Sequence, residues 1–546
     1  MFYKNKPIEK TEPIYCENPS KEIKNLLLGL PIHAIDSQEV LPEDEVTFKR
    51  NFGTDRTELT DGLYSPDNNF ENPQWFRVNR GLGRVITFKL PYICAVSGFK
   101  VNFCRDDHVA VRTPTFFNIR VSVDGENFMT VSENLNTRSF RDLHNHTVKG
   151  NFDTTAALYV QFNFDVVNHV FIDEIELYGC TDASDAKVPV ADNKPLFYER
   201  PEPEIINEYP PEDLLGAKNI SLAYCYNTFQ ESRGLLKEDY FLPLVAYLDR
   251  DGKILDTFMD AILFLPHTSF NFSERGQCAA GWKEYMDIVF HEEYNLAELK
   301  KAVKKTKDAL NMPDYKVGLF FSIPYTYTNY KEFGVLEDEK LVFDNVESRK
   351  TAIKWMIDTY IARHEASGTE HTEIKGFYWF EEVINPADYY EEELIAYAGD
   401  YARSMGYHFF WIPYYKAQGY QDWKRMKFDT ACMQPNYAFE DHIPKERLYE
   451  SAELCKKLGM CVEIEADVIE LDAEGKVTKP LNVEKFKEYL EVGAETGYMN
   501  SIKMYYHCSA PGSVVKAWNS KEDYYRELYD MTYLFSRNKL VPRDKK

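Results

Sequence analysis

The sequence predicts two folds in tandem, an all-β sandwich followed by a (β/α)8 TIM barrel, giving a multidomain chain of β and α/β parts. Three observations predict it. From Lys49 to Cys180, short runs of β-branched and aromatic residues are separated by turn signals; from about Leu214, apolar strand-like runs alternate with amphipathic helical stretches; and a polar, proline-rich segment lies between. Length agrees, because 546 residues exceed one ordinary domain. The boundaries expected are a sandwich over residues 1–180, a linker over 181–211 and a barrel over 212–546.

In the first part, "RVITFKLPYICAVSGFKVNF", "FFNIRVSVDGENF", "ALYVQFNFDVV" and "VFIDEIELYG" are the strand candidates. "NIRVSVDG" alternates with period two, and Asp124-Gly125 closes it as a hairpin turn does. The linker is "TDASDAKVPVADNKPLFYERPEPEIINEYP".

In the second part eight strand candidates can be counted in order: "ISLAYCYN", "AILFLPHTSF", "KVGLFFSIPYT", "IKGFYWFEEVI", "HFFWIPYY", "FDTACMQPNY", "MCVEIEAD" and "MNSIKMYYH". Helical spacing marks Glu292 to Leu310, Glu347 to Ala366 and Glu391 to Met405, while "LVAYLDRDGKILDTF" reads as a hairpin around Asp251-Gly252. A doubly wound open sheet is the alternative, but no phosphate-binding glycine fingerprint follows any strand.

Composition excludes several functions. A net charge of −24 argues against nucleic acid and anionic membranes, which need clustered Lys and Arg. The apolar share of 44% is normal for a globular protein, and 38 Tyr with 36 Phe suit surfaces that stack on flat ligands such as sugar rings. Ten Cys without a CxxC pair read as free thiols. The N-terminus lacks an apolar signal core and no run of eighteen apolar residues occurs, so the chain as given is expected in the cytoplasm; a secreted chain relieved of its signal peptide has the same appearance. His291-Glu292 begins a metalloprotease-like string, but Asn295 stands where the second His belongs. Neither a P-loop nor a G-x-S-x-G elbow is present; His267, His408 and His507 near strand ends are expected to be structural rather than catalytic, with lining of the pocket by any of them the alternative.

The chemistry is expected at the C-terminal strand ends, which face the mouth of such a barrel. The fourth strand ends on Glu381 and Glu382, only one of which can face inward; apolar residues on both faces leave the choice open. The seventh places Glu463, Glu465 and Asp467 on one face, where a parallel strand should be apolar. Carboxyls from strands four and seven facing across the mouth are what glycosidic bond hydrolysis needs. Tyr224, Tyr325, Trp411, Tyr414, Tyr437, Tyr505 and Tyr506 are candidate sugar-stacking faces, and Gln434 and Asn436 candidate hydroxyl partners. A metal site formed by Glu463, Glu465 and Asp467 is a further option.

"LTDGLY" at Leu59 to Tyr64, Trp75, "RGLGRVITFKL", "VSVDGENF" and "IDEIELYG" together resemble a discoidin or coagulation-factor C-type domain. The resemblance implies a jelly-roll sandwich, carbohydrate binding by loops, and a structural calcium for which Asp61 matches a usual ligand position. "GFYWFEE", "FWIPYY", "FDTACMQPNYAF", "GMCVEIEAD" and "GYMNSIKMYYH" resemble a bacterial family known as domain of unknown function 4855, of glycoside-hydrolase-like barrel character. Analogy with retaining barrel glycosidases implies Glu382 as acid/base and Glu465 as nucleophile, with Glu463, Glu381 and Asp467 tuning pKa values or holding hydroxyls. The function expected is glycoside hydrolysis of an oligosaccharide or polysaccharide without a catalytic cofactor. The alternative is a non-catalytic carbohydrate-binding or scaffold protein.

Overall fold

The computed structural model describes the chain apart from residues 1–2, 5–7, 38–55, 68, 80–82, 106–110, 112, 115–116, 135–146, 167–168, 193–202, 228–234, 268–269, 274–276, 328–331, 385–389, 418, 440, 480–481, 509–511 and 543–546. The start of "RGLGRVITFKL" and residues 193–202 of the expected linker lie outside the described residues. Contacts divide the chain near residue 202 into two compact units.

The N-terminal unit is antiparallel β structure. Its long strands, Gly83–Cys104 and Thr147–Asp165, pair along both halves of their length, with the register broken between Lys89 and Cys94. Pro91 sits in that break, where the missing N–H removes no ladder bond and the strand can bend. Past the bend, residues 95–104 also pair with His169–Cys180. Alternate residues of the sheet, among them Phe88, Val101, Phe117, Phe162, Ile172 and Leu177, are buried in one core, as on the inner faces of a sandwich. Phe117–Ser122 and Met129–Asn134 form the expected hairpin, with Gly125 at φ +81° and the Asp124 carboxylate accepting the N–H groups of Glu126 and Asn127.

The C-terminal unit is built on a closed barrel of eight parallel strands, an architecture compatible with a TIM-like barrel. These are β1 (Asn219–Cys225), β2 (Ala261–Pro266), β3 (Val317–Ile323), β4 (Thr372–Trp379), β5 (His408–Trp411), β6 (Thr430–Met433), β7 (Cys461–Glu465) and β8 (Lys503–Tyr506). Each coincides with one expected run, and closure excludes the open doubly wound sheet. Because β7 pairs with both β6 and β8, its carboxylates do not belong to a solvated edge.

Helices Leu296–Leu310, Val346–Ala366 and Glu391–Ser404 occupy three expected stretches. The first begins four residues later than the periodicity suggests, because Asn295 takes φ +51° and its side chain turns to the Ile288 carbonyl. Ala246–Leu248 pairs antiparallel with Ile254–Thr257, the hairpin expected around Gly252. Between β5 and β6 the described residues hold a 3₁₀ turn, Tyr420–Asp422, in place of a helix.

The barrel interior takes alternate residues from each strand: Leu222, Leu263, Phe320, Tyr378, Phe410, Cys432, Cys461 and Met504 form its floor. One irregularity sets the outcome at β4. Opposite the consecutive β3 residues Leu319 and Phe320 it jumps from Ile374 to Gly376, leaving Lys375 as an extra, bulged residue. Gly376 then meets β5 so closely that a Cβ there would lie 2.3 Å from the His408 carbonyl oxygen. From Gly376 on, Tyr378, Phe380 and Glu382 follow the inward parity.

Candidate functional site

At the C-terminal end of this barrel a cavity of about 250 Å³ is lined by residues of seven strands or the loops directly after them, all but β3. Three carboxylates enter it, Glu382 after β4 and Glu463 and Glu465 from β7. The pairing Glu463↔Met504 and Glu465↔Tyr506 puts both β7 carboxylates on the face that Met504 and Tyr506 turn to the interior.

Each carboxylate has a different setting. Glu465 is 2% exposed and accepts the Asn436 N–H at 2.6 Å and the hydroxyl of Tyr489. Burial, followed by the charge of Glu382, pushes its carboxyl up to about 7, and the two donors hold it from rising further. Asn436 delivers its N–H because it adopts φ +51°, a conformation Asn tolerates, and its side-chain amide donates to the Tyr414 hydroxyl at 3.0 Å.

Glu463 is also 2% exposed, yet its Oε1 is buried without a hydrogen-bond partner. Burial and the charges of Glu465 and Glu382 raise its carboxyl well above the ordinary range. Glu382 is open to solvent at the mouth while protein surrounds its other sides. That enclosure and neighbouring Glu381 raise it to about 7, Gln434 opposes the rise with a hydrogen bond, and solvent access moderates it. Among the described residues no Lys or Arg forms an ion pair with any of the three.

Of the sequence-predicted residues, Glu382, Glu463, Glu465, Tyr224, Tyr414, Gln434, Asn436 and Tyr506 line the cavity. The others do not, mostly for reasons of parity. Glu381 faces the opposite way and accepts the Tyr327 hydroxyl. Trp411 pairs with Trp379 on the outer face, stacks on Phe428 and donates Nε1–H to the Glu381 carbonyl at 2.7 Å. Tyr505 turns outward to Asn219, and Tyr437 turns away to the Glu488 carboxylate at 2.6 Å. Tyr325 is buried against Tyr327 and Arg349. Asp467 lies beyond the end of β7, where alternation no longer holds, and its carboxylate accepts the Val468 N–H at 2.7 Å. The Glu463, Glu465 and Asp467 metal site is therefore not assembled, and the described residues hold no group of three His, Cys, Asp and Glu suited to a metal ion.

Sequence reasoning missed four aromatic residues of the site, besides the aliphatic Leu222, Leu265 and Ile412. Tyr378 and Phe380 line the cavity and share the parity of Glu382; Phe439 lies edge-on to Tyr506 at 5.9 Å. Tyr489 comes from helix Val483–Thr496, and nothing local to its position marks it. His267, His408 and His507 do not line the cavity; burial pushes His507 down to about 3, so it stays neutral. The ten cysteines are all free, as expected. No helix of the described residues is long and apolar enough to cross a membrane.

In the N-terminal unit, Asp61 is exposed and accepts the Leu63 N–H at 2.8 Å. Close by, Glu174 is 1% exposed and accepts the Gly62 N–H at 3.0 Å, while its Oε1 is buried without a partner. Burial, with Asp61, Glu176 and Asp173 adding repulsion, raises the Glu174 carboxyl to about 8.

Among solved structures, the chain is similar to CpGH89CBM32-6 of Clostridium perfringens, at 17% identity over 23% of this chain and 87% of that one, with a TM-score of 0.18. It is also similar to chitosan-binding module 1 of a chitosanase/glucanase from Paenibacillus sp. IK-5, at 17% identity over 29% of this chain and 99% of that one, with a TM-score of 0.20. No curated protein matches. The profile of the domain of unknown function DUF4855 matches residues 219–534, which take in all eight barrel strands and every carboxylate of the cavity, and the chain belongs to that family.

Proposed function

We propose that the barrel unit is a glycoside hydrolase, with Glu382 as general acid/base and Glu465 as nucleophile. The observation that carries this reading is that the two carboxyls, from β4 and β7, share one aromatic-lined cavity at the C-terminal strand ends of a TIM-like barrel. Glu382, raised to about 7, keeps a proton to give to the leaving oxygen near neutral pH. Glu465, held by the Asn436 N–H and Tyr489, is the carboxylate whose charge is best compensated, and it attacks the anomeric carbon as the bond to the leaving oxygen breaks. Glu382 then takes a proton from water as that water displaces Glu465 from the sugar. Tyr224, Tyr378, Phe380 and Tyr506 offer ring faces to the apolar side of a sugar, and one pyranose is the size the cavity suits.

Reducing-end release from a panel of oligosaccharides and polysaccharides tests it. Glu382→Gln and Glu465→Gln should each lower release by about 10²- to 10⁴-fold with saccharide binding retained. Binding of a saccharide with no hydrolysis by the unaltered chain would instead assign the non-catalytic carbohydrate-binding role.

For the N-terminal unit we propose a structural calcium held by Asp61 and Glu174. Supporting it are the unpartnered, buried Glu174 Oε1 and the repulsion among its neighbours, which a divalent cation would relieve. The remaining oxygens would come from backbone or water, since the described side chains supply no third carboxylate in metal-binding arrangement.

A further inference from the structure

Hydrolysis of a neutral sugar needs two carboxyl groups, and the cavity holds three. The surplus one is Glu463. Glu465 has two donors and Glu382 has Gln434, but Glu463 Oε1 is buried with nothing to bond. Among the described residues no Lys, Arg or His lines the cavity to offset the charge. A buried carboxylate without a partner costs several kcal/mol, so such a group persists where a proton or a cationic ligand completes it. A neutral hydroxyl would donate one hydrogen bond and leave the repulsion among the three carboxylates in place. An ammonium group brings three donors and the opposite charge. A metal ion is the weaker candidate, because the described residues form no suitable group of three ligands. The walls suit the shape of the cation: Tyr224, Tyr378 and Tyr506 line the cavity with aromatic rings, which pack against a sugar ring and attract an ammonium group.

We propose that this pocket is built for a sugar ring carrying a free, protonated amine, with Glu463 as the counter-ion of that ammonium. The proposal rests on the reading of the cavity as a saccharide site and adds its substrate class. Glu463 contacts the ligand and takes no part in bond cleavage. An arriving ammonium replaces the proton that the crowded carboxylates otherwise share, so binding releases a proton near neutral pH.

Monosaccharide binding to the full chain tests this without any need for turnover. Glucosamine and galactosamine are titrated calorimetrically beside their N-acetylated forms and beside glucose and galactose, each in two buffers of different ionisation heat. The expected result is at least about tenfold tighter binding of the free amines, with proton release. In Glu463→Gln that preference should shrink to about threefold or less, while Glu463→Asp, which keeps a carboxylate, should retain part of it. N-acetylated or neutral sugars binding as tightly as the amines would overturn the proposal, as would an unchanged preference in Glu463→Gln or no binding of any of the six sugars. Amine-selective binding by a chain that hydrolyses no glycan would overturn the hydrolase reading and uphold this one. Hydrolysis of neutral or N-acetylated chains without amine preference would do the reverse.

Discussion

The phenol of Tyr489 donates to the carboxylate of Glu465 from a helix that begins after β7 has ended, while its oxygen accepts the Tyr437 N–H at 3.0 Å. This bond lowers a carboxyl that burial has raised to about 7. In Tyr489→Phe the ionised form loses a donor, so the Glu465 carboxyl rises further, by about one pH unit. The acid limb of the kcat/KM profile against pH should move up by that amount. The variant is expected to be about tenfold slower than the parent at pH 6 and nearly equal to it at pH 8.5.

Glu463 makes stability depend on pH in a direction opposite to that of a salt-bridged carboxylate. Its folded-state pKa stands well above the ordinary value of 4.5, so above pH 4.5 the folded chain keeps a proton that the unfolded chain has lost. The contribution is full below pH 4.5 and is lost as pH rises toward the raised value. Glu463→Gln removes this part of the dependence and leaves that of Glu382 and Glu465. Thermal melts should show the variant about 2 °C or more above the parent at pH 8 and indistinguishable from it at pH 4.

Parity separates aromatic residues that meet ligand from those that support the wall. Phe439→Ala, at the cavity, should raise KM or Kd for a bound saccharide about tenfold. Trp411→Phe, on the outer face, loses its bond to the Glu381 carbonyl and should cost about 1 kcal/mol of stability while KM stays within about twofold. Steady-state kinetics beside urea unfolding tells the two apart.

Gly376 has room for no side chain. In Gly376→Ala the new methyl would press on the His408 carbonyl oxygen at 2.3 Å and carbon at 2.8 Å, both backbone atoms that cannot turn aside. The β4 to β5 pairing must open, and the barrel unit should be destabilised by about 3 kcal/mol or should fail to accumulate as folded protein. Circular dichroism during denaturant titration reads this directly.

Calcium should raise the melting temperature of the N-terminal unit in proportion to RT ln(1 + [Ca²⁺]/Kd). Asp61→Ala should abolish the rise while leaving the melt in chelator unchanged to within about 2 °C. A rise that persists in Asp61→Ala would place the ion elsewhere.

The barrel was legible because every strand is an apolar run and closure needs eight of them. The three carboxylates were legible too, since charge in a buried strand is conspicuous. The orientation at β4 was not. Its apolar residues lie on both faces, and the bulge at Lys375 resets which of Glu381 and Glu382 turns inward, a matter of pairing with β3 that no local pattern records. The same two-sided apolarity hid the outward turn of Trp411 and Tyr505. Asp467 misled because the alternation that places Glu463 and Glu465 was extended past the end of β7. Tyr489 reaches Glu465 across 24 positions of sequence, a distance over which periodicity carries no information.

The floor of the barrel has a consequence for traffic. Phe320, Tyr378, Phe410 and Met504 are buried and packed beneath the carboxylates, so the cavity is a blind chamber entered from its mouth. Whatever is released there must leave by the route through which the next molecule arrives. On the glycoside hydrolase reading, a departing sugar and an incoming one contend for that doorway, and inhibition by the released sugar should be competitive.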